Sequence, residues 1–169
     1  MQIVFLMALG LLIITIATAG TTRQQGEDFG AASAAAAQMA VYHTAAAQMC
    51  QEVTCSSGLV DPSAYVNDQI RNGPLFGKRY FQTNYDAPTK TVVTYMKSGY
   101  ALRGSVNFGT VLTALRDMEG GHSTNFGEWD KSSGRVVPSY ISGYAVTYKP
   151  PVGISSVIPD RSPVMVGRI

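Results

Sequence analysis

The first part of this chain carries no charge, and that absence limits its fold more than any other feature. The 13 basic and 11 acidic side chains all lie at or after Arg23. Residues Ile3–Ala19 form an apolar run of 17 residues, interrupted only by Gly10, Thr15 and Thr18. As a helix such a run is about 26 Å long, and with its flanking residues it can span a bilayer. The sequence therefore predicts a transmembrane anchor over residues 1–22.

The same run allows a second interpretation, a cleaved signal peptide. Ala17-Thr18-Ala19 has the small-x-small pattern of a signal-peptidase site, which would release a product beginning at Gly20. No Lys or Arg precedes the run, however, and the run is longer than the roughly 7–15 apolar residues of a signal peptide. Both features favour an uncleaved anchor. Arg23 alone follows the run closely, which says little about orientation.

Alanine dominates the next segment, residues 23–58. Ten alanines lie between Ala31 and Ala47, and alanine has the highest helix propensity, so Phe29–Glu52 is predicted to form one long amphipathic helix. Its apolar side chains recur at steps of three and four residues, which predicts a seam that packs in a core or against a partner. The seam consists of Ala35, Met39, Tyr42, Ala46, Met49 and Val53. A second membrane span is the alternative, which the polar side chains in this segment disfavour.

Two cysteines, Cys50 and Cys55, lie at the end of this helix. On an unbroken helix five residues of separation would point them far apart. The small and polar residues after Thr54, followed by Pro62, predict that the helix stops, so that the cysteines can close a small loop in an oxidising compartment. Two free thiols, one packed in the core, are the alternative.

Residues 59–169 change to β-sheet and turn composition, with tyrosine, valine, threonine, glycine and proline. Thr91–Met96 and Tyr100–Arg103 are predicted to form one hairpin, and Phe126–Trp129 and Arg135–Pro138 a second. Further strands are predicted at Arg79–Gln82, Tyr140–Tyr148 and Pro163–Ile169. One helix interrupts the strands, because Val111, Leu112, Leu115 and Met118 recur at helical spacing after a capping residue, Asn107.

The predicted fold class is therefore α+β: an N-terminal transmembrane helix, a long amphipathic helix, and a small antiparallel β-sheet domain with one further helix. Charged residues make up 14% of the chain and the formal net charge is +2. That charge leaves no basic surface typical of nucleic-acid binding.

No pattern of catalysis or cofactor binding emerges from the residues. His43 has Met39 and Ala47 at the positions where a helical zinc motif needs ligands, and we expect it on the surface or facing a partner. His122, Ser123 and Asp117 lack the Gly-x-Ser-x-Gly elbow that exposes a nucleophile. The sequence also lacks the Gly-x-x-x-x-Gly-Lys-Ser/Thr motif of a phosphate-binding loop. We therefore expect no enzyme activity, no cofactor and no metal.

A membrane helix, an Ala/Gln-rich helix and a tyrosine-rich β domain are also typical of type IV pilins. A pilin carries Glu at its fifth mature residue, whereas this chain has Phe5 and no carboxylate before Glu27. The chain more closely resembles PilM-type accessory proteins of type IVb and conjugative thin-pilus systems. The resemblance extends over nearly the whole chain and is carried by Ile3–Ala19, Ala31–Gln51, the 126–138 hairpin and Ile158–Val164.

This resemblance implies a non-enzymatic component of type IV pilus biogenesis. It implies a single-pass protein of the bacterial inner membrane with its C-terminal domain in the periplasm. Its partners would be the membrane and other pilus assembly proteins or pilins, with oligomerisation left open. The alternatives are an atypical minor pilin within the filament, and a secreted binding module or hydrolase released at Ala19.

Overall fold

A computed structural model describes residues 29–72, 80–97, 107–118, 126–137, 148–150 and 152–169. The predicted anchor, residues 1–22, lies outside this part of the chain. Within it, no helix combines the length and apolar character needed to cross a bilayer. The α+β class is confirmed: a long N-terminal helix accompanies a six-stranded antiparallel sheet.

Helix α1 is described over residues 29–52, as expected for the helix predicted from its alanine content. Its buried face holds small residues, Ala32, Ala35 and Ala36, followed by Met39. These residues share one cluster with the sheet and with helix α3, Phe108–Met118. Small side chains let the axis of α1 lie close to the sheet and to α3. The alanines therefore favour the helical conformation and also allow close packing of the helix.

Six strands among the described residues form one sheet, in the order β1-β2-β3-β6-β4-β5 with every neighbouring pair antiparallel. Their bounds are Gly58–Val60 for β1, Phe81–Asp86 for β2, Thr91–Met96 for β3, Phe126–Asp130 for β4, Arg135–Val137 for β5 and Pro163–Arg168 for β6. The last strand thus lies between β3 and β4 and joins the two halves of the sheet.

Strand β3 forms its hairpin with β2, not with the predicted partner Tyr100–Arg103. Its residues pair with β2 on one side and with β6 on the other, so both of its edges are occupied. The β2–β3 turn runs through residues 87–90 and ends at Lys90, whose φ is 52°. Tyr100–Arg103 lies outside the described residues, and the hairpin predicted for it is wrong because β2 and β6 already occupy both edges of β3. The prediction overlooked the turn at Ala87-Pro88, before β3.

Three other sequence predictions agree with the structure. Strands β4 and β5 form the expected hairpin, in which the Asp130 carboxylate accepts hydrogen bonds from the backbone N–H of Ser132 (2.9 Å) and Ser133 (3.4 Å). Helix α3 begins after Asn107, whose side chain accepts from the Thr110 N–H at 3.1 Å. Strand β6 occupies the predicted C-terminal segment.

Both faces of the sheet are covered. Helices α1 and α3 lie on one face, over Phe81, Met96 and Met165. The other face buries Tyr95 and Trp129 together with Ile154 of a short helix α4, Val152–Ser155. Since successive strand residues point to opposite faces, β3 is buried along its whole length. Of the predicted strand Tyr140–Tyr148 only Tyr148 is described, and it lies in no strand.

Candidate interaction site

The predicted seam of α1 lies mainly inside the molecule. Ala35 and Met39 are fully buried against the sheet and α3, and Ala46 is fully buried near Tyr85. Tyr42 and Met49 are only partly buried, and Val53 is exposed. The seam therefore holds α1 on the sheet, and among its members Tyr42 also reaches a cavity described below.

Cys50 and Cys55 form a disulfide in the structure. The helix ends at residue 52, and the chain bends before β1 begins at Gly58. Cys50 is buried in a cluster with Ala46 and Val60, and Cys55 packs against the same cluster. The bridge therefore ties the end of α1 to the start of the sheet.

His43, which the sequence predicted on the surface or facing a partner, is buried between α1 and the sheet. It is 8% exposed, and its Nδ1 forms a hydrogen bond with Thr94 Oγ1 at 3.0 Å. Thr94 Oγ1 also forms a hydrogen bond with Thr83 Oγ1 at 2.8 Å. These two hydrogen bonds link α1 to β3 and β3 to β2. Burial lowers the pKa of His43 to about 4, and the ring is neutral at physiological pH.

A sequence signal for this burial exists, because His43 follows Met39 by four residues and precedes Ala46 by three. Those steps place it on the apolar face of the helix. A buried neutral histidine needs a hydrogen-bond partner, and its partner Thr94 lies 51 residues away in the chain. Nothing local identifies that partner.

The described residues contain no group of three or more His, Cys, Asp or Glu side chains placed to hold a metal ion. His122, Ser123, Tyr140 and Tyr144 lie outside the described part of the chain. Asp117 is exposed at the end of α3, next to Arg116.

A cavity of about 360 Å³ opens at the end of the sheet where β1 stops, and we call it the β1 cleft. Helix α1, strands β1 and β2, the end of β3 and helix α2, Asp68–Arg71, all contribute to it. Its lining residues are Tyr42, Leu59, Val60, Asp61, Ser63, Arg71, Tyr80, Phe81, Gln82 and Lys97. No sequence pattern marks this site, because its lining residues come from five separate segments of the chain.

Local sequence explains why β1 ends so early. Asp61 follows the strand and accepts a hydrogen bond from the Ser63 N–H at 3.1 Å, which caps a single 3-10 turn, Pro62–Tyr65. Pro62 has no N–H to donate to β2 and fixes its own φ near the value that a helical turn requires. The chain therefore leaves the sheet at Val60, which pairs with Thr83.

Aromatic and charged side chains both line the β1 cleft. Tyr80 and Phe81 are buried there and belong to the main core cluster. Arg71 forms an ion pair with Asp68 on its own short helix. Lys97 is held by a hydrogen bond from its backbone N–H to the Tyr80 carbonyl at 2.9 Å, and no described carboxylate forms an ion pair with its ammonium group.

No protein-family model, no curated protein and no solved structure matches the chain.

Proposed function

We propose that this chain is a non-enzymatic component of type IV pilus biogenesis, anchored in the bacterial inner membrane by residues 1–22. Its C-terminal domain would lie in the periplasm and act by contacts with other pilus assembly proteins or pilins. The proposal is supported by the resemblance to PilM-type accessory proteins and by the short separation in sequence between the apolar run and α1.

Few residues separate the apolar run from α1, a helix that packs in the core of the described domain. The run ends at Ala19, and the described part of α1 begins at residue 29, so only residues 20–28 separate them. Helix α1 then packs along the sheet through Ala35, Met39 and Ala46. A membrane helix at residues 1–22 would therefore hold the sheet near the bilayer surface, within reach of other anchored proteins.

The disulfide supports the periplasmic side of the proposal. Disulfides persist in oxidising compartments and are rare in the cytosol of mesophilic bacteria. The Cys50–Cys55 bridge lies between α1 and β1, in the part of the chain that would follow the membrane segment.

Deletion and complementation in a piliated strain test the proposal. We expect loss of the chain to reduce surface pili, and the intact chain to restore them. A variant with Leu9→Arg and Leu12→Arg would fail to restore them, because two charges at the centre of the run oppose membrane insertion. Leu9→Ile with Leu12→Val is the matched control and would restore them. Normal piliation without the chain would overturn the proposal.

A further inference from the structure

The surroundings of His43 suit a neutral imidazole ring. Its Nδ1 bonds a hydroxyl group, and its Nε2 lies against the backbone of β6 at Gly167. Tyr85 is the one titratable side chain among the described residues of β2, β3 and β6 that face α1, and a phenol is uncharged in acid. Those residues are Phe81, Thr83 and Tyr85 of β2, Val92, Thr94 and Met96 of β3, and Met165 and Gly167 of β6.

The charged groups of the neighbouring elements do not compensate a charge on His43. On the described part of α1 the first charged residue is Glu52, which is exposed at the end of the helix. Arg168 follows Gly167 on β6 and therefore points to the opposite face of the sheet. No ion pair joins His43 to any described carboxylate, that of Ile169 included. A proton added to the buried ring would lack a counter-charge, which makes protonation in this position costly.

The part of α1 around His43 buries little apolar surface. Between Met39 and Cys50, the buried residues of α1 other than His43 are Ala45 and Ala46. Each alanine carries a single methyl group, so separation of this part from its surroundings exposes much less apolar surface than separation of a part lined by leucine or methionine would.

Other contacts fix both ends of this part of α1. Met39 packs with the alanines before it against the sheet and α3. Cys50 is bonded to Cys55, and both pack in the cluster at the start of β1. Residues 40–49 therefore lie between two fixed points, and a helix held at both ends leaves the sheet locally only by breaking some of its own hydrogen bonds.

We propose that residues 40–49 of α1 form a pH-sensitive segment, which opens locally and reversibly when His43 takes up a proton in acid. In the closed segment the ring is neutral and bonded to Thr94. In the open segment the protonated ring is hydrated, while Met39 and the disulfide keep the ends of the segment in place. That the domain meets such acid in the periplasm rests on the proposed function. The response itself is measured in vitro, so it can succeed or fail independently of piliation.

The size and direction of the response follow from the two states of the His43 ring. Burial lowers the pKa of His43 to about 4 in the closed segment, whereas the ordinary value is 6.5. The proton therefore favours the open segment, in a response that begins near pH 6.5 and is complete below pH 4. These two values imply that the equilibrium constant for opening rises about 100-fold between pH 7 and pH 4.

Hydrogen exchange of the full chain in nanodiscs tests the proposal. Backbone amides are followed by mass spectrometry at pH 7, 6, 5 and 4, and each rate is compared with the intrinsic rate at that pH to give a protection factor. We expect the protection of residues 40–49 to fall about 100-fold from pH 7 to pH 4. The protection of residues 30–38 and of β3 should stay constant, because their contacts do not depend on this proton.

His43→Asn and His43→Gln are the matched controls. Each amide can replace the ring as the hydrogen-bond partner of Thr94, and neither amide titrates in this range. In both variants the protection of residues 40–49 should be independent of pH. Thermal unfolding at pH 7 identifies which of the two variants is folded.

Three results would overturn the proposal. The first is constant protection of residues 40–49 in the wild type from pH 7 to pH 4. The second is an equal fall in residues 30–38 and β3, which would mean that acid unfolds the whole domain. The third is an equal fall in the wild type and the folded variant, which would assign the response to groups other than His43.

Discussion

The imidazole of His43 lies directly over Gly167, and a Cβ atom added at residue 167 would come within 2.6 Å of His43 Nε2. On its other side the ring bonds Thr94 through Nδ1. A helix residue is thus fitted between the backbone of β6 and a hydroxyl of β3. This contact sets the distance between α1 and the sheet. Substitutions at His43 and Gly167 therefore test how α1 packs on the sheet.

Gly167→Ala should destabilise the domain. The added methyl group must displace the buried ring and strain its bond to Thr94, a form of overpacking that costs about 1–3 kcal/mol in free energy of unfolding. Urea unfolding of the wild type and the variant measures this cost. In combination with His43→Ala, which removes the ring, Gly167→Ala should cost much less than it does alone. Additive costs of the two substitutions would contradict the proposed contact.

Stability should fall in mild acid because of His43. Its pKa is about 4 in the folded chain and 6.5 in its ordinary state. Only the unfolded chain therefore gains the proton between these values. The stabilisation is fully present above pH 6.5 and is lost as the pH falls towards 4, by about 3 kcal/mol.

His43→Asn is the control for this pH dependence, because its amide can replace Nδ1 as the partner of Thr94 but does not titrate in this range. Urea unfolding of both proteins from pH 7 to pH 4 separates His43 from the carboxylates, whose contribution is common to both. The wild type should lose stability relative to the variant over this interval. A constant difference between them would show that His43 is not buried as a neutral ring.

Gly127→Ala should disrupt the β4–β5 hairpin. A Cβ atom at this position would lie 2.5 Å from the Val137 carbonyl oxygen and 2.8 Å from Val136 Cγ1. Backbone cannot move aside as a flexible side chain does, so we expect a loss of about 1–3 kcal/mol. Gly30→Ala, on α1 with nothing within 4 Å of the added atom, is the control and should be neutral or slightly stabilising. Equal melting temperatures for the two variants would contradict the close approach.

Reduction of the disulfide should lower stability. The bridge closes a very short loop, for which the chain-entropy relation gives about 2 kcal/mol. Unfolding in urea with and without a phosphine reductant measures the difference, and the Cys50→Ala/Cys55→Ala variant should not respond to the reductant. Alkylation of both cysteines in protein prepared without reductant would show that the bridge is not formed.

The elements that could be predicted from sequence are those whose cause is local. Alanine content defines α1, Asn107 marks the start of α3, and the Asp130–Gly134 turn defines the β4–β5 hairpin. Each depends on propensity or capping within a few residues.

The order of the strands and the β1 cleft depend on distant contacts and were not predicted. Strand β3 pairs with β6, about 70 residues further along the chain, because burial on both faces favours a central position that no local pattern specifies. Strand β1 has three residues in a Ser/Gly-rich segment and lacks a recognisable period. The cleft exists only once these elements assemble.

The most direct test of the anchored, periplasmic role is the mass and location of the native protein. Membranes, soluble periplasm and sheared filaments of a piliated strain are separated, and the intact mass in each fraction is measured. We predict the full-length chain in the inner membrane, with its C-terminal domain cleaved by protease added to the periplasmic side. A soluble product beginning at Gly20 would contradict the anchor, and full-length chain found chiefly in the filaments would instead identify a minor pilin.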